Sequence, residues 1–128
     1  MDKQRFFKAN HLGMIAKGEF PVITEDLSLV HLEEKERLHL VIKSASYHKS
    51  STALPDQGTF WVSSERVGFN GKVDHFSLKF SEILKFSARR DILVMIKAAD
   101  RTEYSVQVSD PDVAEALIPQ LILKKKAA

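Results

Sequence analysis

Seven short segments in which apolar and polar residues alternate occupy the middle of the 128-residue chain, and they constrain its fold most strongly. Successive side chains of a strand point to opposite faces, so this alternation predicts strands with one apolar face. The predicted strands are Arg37–Ser46, Gly58–Ser63, Arg66–Asn70, Val73–Phe80, Leu84–Ala88, Ile92–Ala98 and Thr102–Val108. Turn signals at intervals of about 8–12 residues are typical of an antiparallel sandwich or barrel.

Two of these segments carry more specific predictions. Asn70-Gly71 predicts a two-residue hairpin turn after the third strand, because both central positions of a type I′ turn need positive φ. Ile92–Ala98 is apolar on both faces as far as Lys97, which predicts a central strand of the sheet.

Helices are predicted on both sides of the strand region. Asp110 is a favourable N-cap and Pro111 suits the first helical position, so a C-terminal helix is predicted to begin there. Its apolar residues share one broad face, and Pro119 is predicted to kink the helix or to end its first segment. Before the strands, residues 3–16 are predicted to form a helix that stops at Gly18.

The chain is therefore predicted to be one mostly β domain with added helices, an α+β fold. Its length fits a single domain, and its 44% apolar and 28% charged residues are typical of a globular chain rather than a disordered one. Residues 1–36 are predicted to be an N-terminal helix with an acidic connector, and residues 124–128 a basic tail. Residues 37–123 are predicted to form a seven-stranded antiparallel barrel whose open end the C-terminal helix caps.

Seven antiparallel strands followed by one amphipathic helix resemble the pleckstrin-homology (PH) superfold. Residues 58–70, GTFWVSSERVGFN, are similar to the segment of GRAM and related bacterial PH-like domains in which a hydroxyl-rich turn precedes a basic residue. Here Arg66 is that residue, and Val67 with Phe69 close the next strand. Other similar segments are Phe76-Ser77-Leu78, Ser81-Glu82-Ile83 and Asp110-Pro111-Asp112. The resemblance covers about residues 37–122 and implies a PH-like barrel that binds lipids, peptides or whole proteins.

The sequence holds no pattern typical of catalytic or metal chemistry. It has no cysteine, which excludes disulfides, zinc–thiolate sites and cysteine nucleophiles. No histidine pair has the spacing of a zinc helix, and nucleophile-elbow and phosphate-loop motifs are absent. We interpret Glu33, Glu34 and Glu36 as a solvated face. We therefore predict that the protein is not an enzyme and uses no metal and no cofactor, and that it is cytoplasmic, since no secretory signal or membrane span appears.

Charge is distributed unevenly along the chain, whose formal net charge is +2. Lysines 124–126 supply three positive charges, so residues 1–123 carry a net −1. Residues 19–36 are acidic and residues 66–101 are basic. No nucleic-acid-binding motif accompanies the basic block, so we do not favour nucleic acid as a partner.

Another protein, or a second copy of this chain, is the favoured partner. The edge strands of a small barrel can accept an extended peptide through main-chain hydrogen bonds. Trp61 is predicted to lie opposite the core-facing Phe60 and Val62, where it would either anchor an interface or pack under the N-terminal helix. Phe6 and Phe7 of that helix would either cover the barrel or mediate self-association.

The alternative partner is an anionic lipid or membrane surface. If the loops that carry them lie together, five basic residues would form an anion-attracting end: Lys43, His48, Lys49, Arg89 and Arg90. Each Lys or Arg near such a surface contributes about 1 kcal/mol. Phosphoinositide-binding PH domains carry a basic motif in the second strand, and Thr59-Phe60-Trp61-Val62 has no base there.

Overall fold

The computed structural model describes residues 12–20, 22–23, 32–48 and 54–127. In this part of the chain, seven strands form one antiparallel sheet. They are β1 (Leu38–His48), β2 (Asp56–Ser63), β3 (Arg66–Gly71), β4 (His75–Lys79), β5 (Ile83–Arg89), β6 (Ile92–Lys97) and β7 (Glu103–Val108). The order across the sheet is β4-β3-β2-β1-β7-β6-β5, so β1 joins the two halves. The seven predicted strands are confirmed, with ends that differ by a few residues.

The alternation of side chains divides the apolar residues between two clusters on opposite faces. Phe60 and Val62 of β2 are fully buried in the main core, which lies between the sheet and the C-terminal helix. Trp61, between them in sequence, belongs to a second cluster with Leu38. The strand period therefore separates neighbouring side chains as the sequence pattern predicted.

The sheet does not close into the predicted barrel. β4 and β5 are its two edges, and a 3₁₀ turn, Phe80–Glu82, connects them. The N–H of Phe80 donates to the carbonyl of Glu65 (3.1 Å), and the carbonyl of Glu82 accepts from Ala98 (2.8 Å). The C-terminal helix contacts this turn and β5. The helix therefore covers the gap in which a closed barrel would have paired its last two strands.

The C-terminal helix, Asp112–Ala127, begins as predicted. The Asp110 carboxylate accepts from the N–H of Asp112 (3.2 Å), and the N–H of Glu115 donates to the carbonyl of Pro111 (2.8 Å). The helix does not end at Pro119, contrary to one of the two predicted outcomes there. Its apolar face holds it in place, because Val113, Ala114, Leu117, Ile118 and Leu121 are all buried.

The lysines assigned to a basic tail lie in the last turns of this helix. Lys124 Nζ lies 5.2 Å from the centroid of the Phe20 ring, and Lys125 pairs with Glu65. The helix end therefore packs against both the N-terminal region and the β2–β3 turn.

The N-terminal region is described from residue 12 onward and is helical over residues 12–16. Gly18 has φ 81° and donates to the carbonyl of Ile15 (2.9 Å), while Glu19 donates to that of Met14 (2.9 Å). These two bonds form a Schellman motif, which confirms the predicted stop at Gly18. Ile15 is 1% exposed and belongs to the main core, so this helix end is part of the fold.

The predicted hairpin turn at Asn70-Gly71 is wrong. Asn70 pairs with His75 in the ladder, and the turn lies at residues 72–73. The Asp56 carboxylate fixes it there by accepting from the N–H groups of Lys72 (3.1 Å), Val73 (3.0 Å) and Asp74 (2.7 Å). The bond from Asp74 does most to hold the pKa of Asp56 below its ordinary value of 3.8, against slight desolvation.

Gly71 has a different role from the predicted one. A Cβ at this position would lie 2.1 Å from an Asp56 carboxylate oxygen. Glycine therefore permits the close approach of Asp56 and does not supply a positive φ.

Candidate functional site

The side chains of β5, β6 and β7 that point away from the main core form a regular surface, which we call the outer face. The ladder register places three β6 residues between three residues of each neighbour: Arg89, Ile92 and Gln107; Ser87, Val94 and Ser105; Lys85, Ile96 and Glu103. All nine are half-buried or exposed, whereas the alternate residues Leu93 and Met95 are completely buried. An apolar column on β6 thus lies between a basic column and a polar one.

A shallow cavity of about 220 Å³ lies on the outer face, lined by Lys85, Ser87, Arg89, Val94, Ile96 and Glu103. Lys85 and Arg89 lie four residues apart on the same side of β5, which is about 13 Å along a strand. Glu103 lies on β7, with the β6 column between it and these cations. The side of the outer face along β5 is therefore positively charged.

Hydrogen bonds link His48 to the turn that carries two predicted anion-binding arginines. His48 Nε2 and Gln107 Oε1 are 3.3 Å apart, and Gln107 Nε2 donates to Asp91 Oδ2 (2.8 Å). Asp91 follows Arg89 and Arg90, which are both exposed, and Arg90 has φ 55°. Three of the five predicted residues, His48, Arg89 and Arg90, thus lie at one end of the outer face.

The other two predicted anion-binding residues do not join this group. Lys43 is exposed on β1, beside the register shift between Ile42 and Ala45. It precedes His48 by five residues, or about 16 Å along a strand. Lys49 lies outside the described residues.

Trp61 lies on the opposite side of the sheet from the main core, as predicted, and it is only 3% exposed. Ile23 and Leu32 of the connector, together with Leu38 and Val41, pack around it. A partner can reach Trp61 only if the connector moves, so its role as an interface anchor stays a prediction. Phe6 and Phe7 lie outside the described residues, and their role stays a prediction too.

The indole of Trp61 lies flat against the backbone of Gly68, its partner in the β2–β3 ladder. A Cβ at residue 68 would lie 2.0 Å from Trp61 Cζ2, so only glycine leaves room for the ring. The Arg66 guanidinium lies 5.2 Å from the ring centroid. Within the described chain the buried indole N–H has no hydrogen-bond partner.

Glu36, which we interpreted as solvated, is buried, and this interpretation is wrong. Its side chain is 1% exposed and pairs with Arg66 through two bonds, Nε to Oε2 (3.0 Å) and Nη2 to Oε1 (3.2 Å). The Ser63 hydroxyl and the N–H of Glu33 also donate to this carboxylate. Burial raises the pKa of Glu36, but these hydrogen bonds outweigh burial and hold it below its ordinary value of 4.5.

A second, larger groove, of about 460 Å³, lies beside this ion pair and is lined by Glu33, Glu34, Lys35, Glu36, Glu65, Arg66 and Lys79. Arg66 and Glu36 bind each other, and Lys125 pairs with Glu65. Positive and negative groups alternate along the remaining wall. The groove therefore offers no one-sided charge and no apolar centre to a ligand.

Across residues 12–20, 22–23, 32–48 and 54–127, no cluster of three His, Asp or Glu side chains could hold a metal ion. No helix in these ranges is long and apolar enough to cross a membrane. The cytoplasmic location and the absence of catalysis stay predictions.

Two solved structures are similar to this chain. The N-terminal PH domain of Vps36 superposes with a TM-score of 0.65 at 13% identity, covering 84% of this chain and 95% of that one. The C-terminal domain of an unknown protein from Leishmania infantum superposes with a TM-score of 0.54 at 19% identity, covering 68% and 85%. No protein-family model and no curated protein matches the sequence. The GRAM-like resemblance stays a prediction, and the likeness in structure shows that this chain has a PH-like fold.

Proposed function

We propose that this protein is a non-catalytic binding module that recognises another protein through the outer face. The observation that carries this proposal is the column of Ile92, Val94 and Ile96, half-exposed on an interior strand of the sheet. Burying apolar surface of this kind contributes about 25 cal/mol per Å².

The arrangement around this column matches the anatomy of protein interfaces, in which an apolar centre is surrounded by a polar rim. Lys85 and Arg89 border the column on one side, and Glu103, Ser105 and Gln107 border it on the other. The PH-like fold supports the same class of function, because domains of this superfold bind lipids, peptides or whole proteins.

Replacing Val94 with lysine is expected to reduce binding of a protein partner about tenfold or more, because a charge then occupies the apolar centre. Val73→Lys is the matched control, since Val73 is 82% exposed at the β3–β4 turn, away from the outer face. The full chain and both variants would be immobilised and exposed to an extract of the source cells, with quantitative mass spectrometry of the retained proteins. Equal retention of every protein by the wild type and Val94→Lys would contradict the proposal.

An anionic membrane surface is the second candidate, favoured by the grouping of His48 with Arg89 and Arg90. Sedimentation with phosphatidylserine vesicles at low and high salt tests it, because electrostatic attachment weakens as salt rises. Salt-sensitive sedimentation that is lost in the Arg89→Ala/Arg90→Ala variant but kept in Val94→Lys would favour the membrane over a protein partner.

A further inference from the structure

We infer that β5 accepts an extended acidic segment of the partner as an additional strand, with acidic residues opposite Lys85 and Arg89 and an apolar residue opposite Ser87. This inference rests on the proposed function and names the kind of partner that the outer face fits.

β5 can accept a strand because it is a sheet edge. In the described chain β6 is its only ladder neighbour, and the register from Phe86↔Met95 to Arg89↔Ile92 runs without a shift. In a regular antiparallel ladder, only part of an edge strand's N–H and C=O groups pair with the neighbour, and the rest point outward. Every residue from Leu84 to Arg89 is exposed or half-buried, so these groups are accessible.

The opposite edge is less suited to the same role. β4 has five residues against seven in β5. The N–H of Lys79 at its end already donates to the Glu82 carboxylate (3.0 Å). A partner strand would gain fewer main-chain bonds there.

The side chains of β5 define the chemistry of the added strand. Residues directly opposite each other on neighbouring strands interact, and pairs of opposite charge are favourable. A segment with acidic residues four positions apart would therefore meet Lys85 and Arg89. Between them Ser87 is small and lies beside Val94 in the ladder, so an apolar side chain at the middle position can extend the apolar column.

Charge also argues against a second copy of this chain as the occupant. Antiparallel pairing of two β5 strands about Ser87 would place Lys85 of each copy opposite Arg89 of the other. Like charges in that position are destabilising. The same cations that repel a second copy attract an acidic strand, so the two properties select one occupant.

The probe for this inference is a synthetic blocked peptide containing Glu-Thr-Val-Thr-Glu, with Lys-Thr-Val-Thr-Lys as its charge-reversed partner. Titration into the full chain would be followed by amide chemical shifts and by hydrogen exchange. We expect the acidic peptide to shift β5 and β6 resonances and to slow exchange of outward β5 amides. The reversed peptide should bind about tenfold more weakly, because two favourable cross-strand pairs become unfavourable.

A charge-swapped variant provides the sharper test. Lys85→Glu/Arg89→Glu should prefer the reversed peptide, whereas Lys72→Glu/Lys79→Glu, the matched change near β4, should keep the wild-type preference. Shifts on the outer face without slower β5 exchange would overturn strand addition and leave the proposed function standing. An absence of binding, or an unchanged preference in the charge-swapped variant, would overturn the acidic-strand inference, whereas loss of partner retention in Val94→Lys tests the proposed function separately.

Discussion

Replacement of Gly68 with valine is expected to lower the free energy of unfolding by about 3 kcal/mol or more, at the upper end of the usual cost of overpacking. The added Cβ would lie 2.0 Å from Trp61 Cζ2 and 2.2 Å from Cε2. The indole has little room to retreat, because it is 3% exposed and packed beneath the connector. Urea unfolding followed by circular dichroism measures the change.

Gly13→Ala is the control for this experiment. Gly13 lies in the helical residues 12–16, and a Cβ there would meet nothing within 4 Å. Alanine should leave stability unchanged or raise it by up to about 1 kcal/mol, because it is the better helix former. Similar losses in the two variants would show that the contact between Gly68 and Trp61 is not the cause.

The second large effect concerns Glu36, for which glutamine is expected to lower the free energy of unfolding by about 2 kcal/mol at neutral pH. Glutamine keeps the shape of the side chain but leaves Arg66 without its buried counter-ion, which is costly even though Arg66 is 24% exposed. Glu34→Gln, on an exposed neighbour, should change stability little. Thermal or urea unfolding of the three proteins measures the difference.

The stability difference between wild type and Glu36→Gln should depend on pH. The pKa of Glu36 is lower in the folded protein than its ordinary value of 4.5, so its charged form stabilises the fold above pH 4.5. This contribution is lost as pH falls through the folded pKa, and the two proteins should converge. The pKa values of Asp56 and Asp100 are also lowered, but both proteins share these groups. A difference that stayed constant with pH would contradict the assignment.

Local patterns in the sequence were enough to predict most of the fold. Alternation identified the seven strands, and the Asp110-Pro111 pair identified the start of the C-terminal helix. Gly18 was predicted correctly because a Schellman motif depends on a few consecutive residues. Each of these signals acts within one or two turns of chain, which is the range over which sequence patterns are informative.

The errors came from contacts between residues distant in sequence. Glu36 and Arg66 are 30 residues apart, so nothing near Glu36 indicates that its carboxylate is buried. Asp56 likewise moves the turn after β3 by binding residues 16 to 18 positions away. The hairpin signal of Asn70-Gly71 was overridden by this bond.

The outer face was missed although a signal for it was present. The apolar residues on both faces of Ile92–Ala98 were interpreted as burial between neighbouring strands. β6 does have a neighbour on each side, but only its inward residues, Leu93 and Met95, are fully buried. Grouping of His48 with Arg89 and Arg90 depends on the side chain of Gln107, which no spacing rule identifies.

The helix that covers the gap between β4 and β5 follows all seven strands in chain order. A chain is synthesised from its N-terminus, so the strands leave the ribosome before this cover does. Until then the apolar positions that pack against Leu117, Ile118 and Leu121 face water. The nascent sheet therefore exposes its core for the time needed to translate the helix, and that interval is when aggregation or chaperone binding competes with folding.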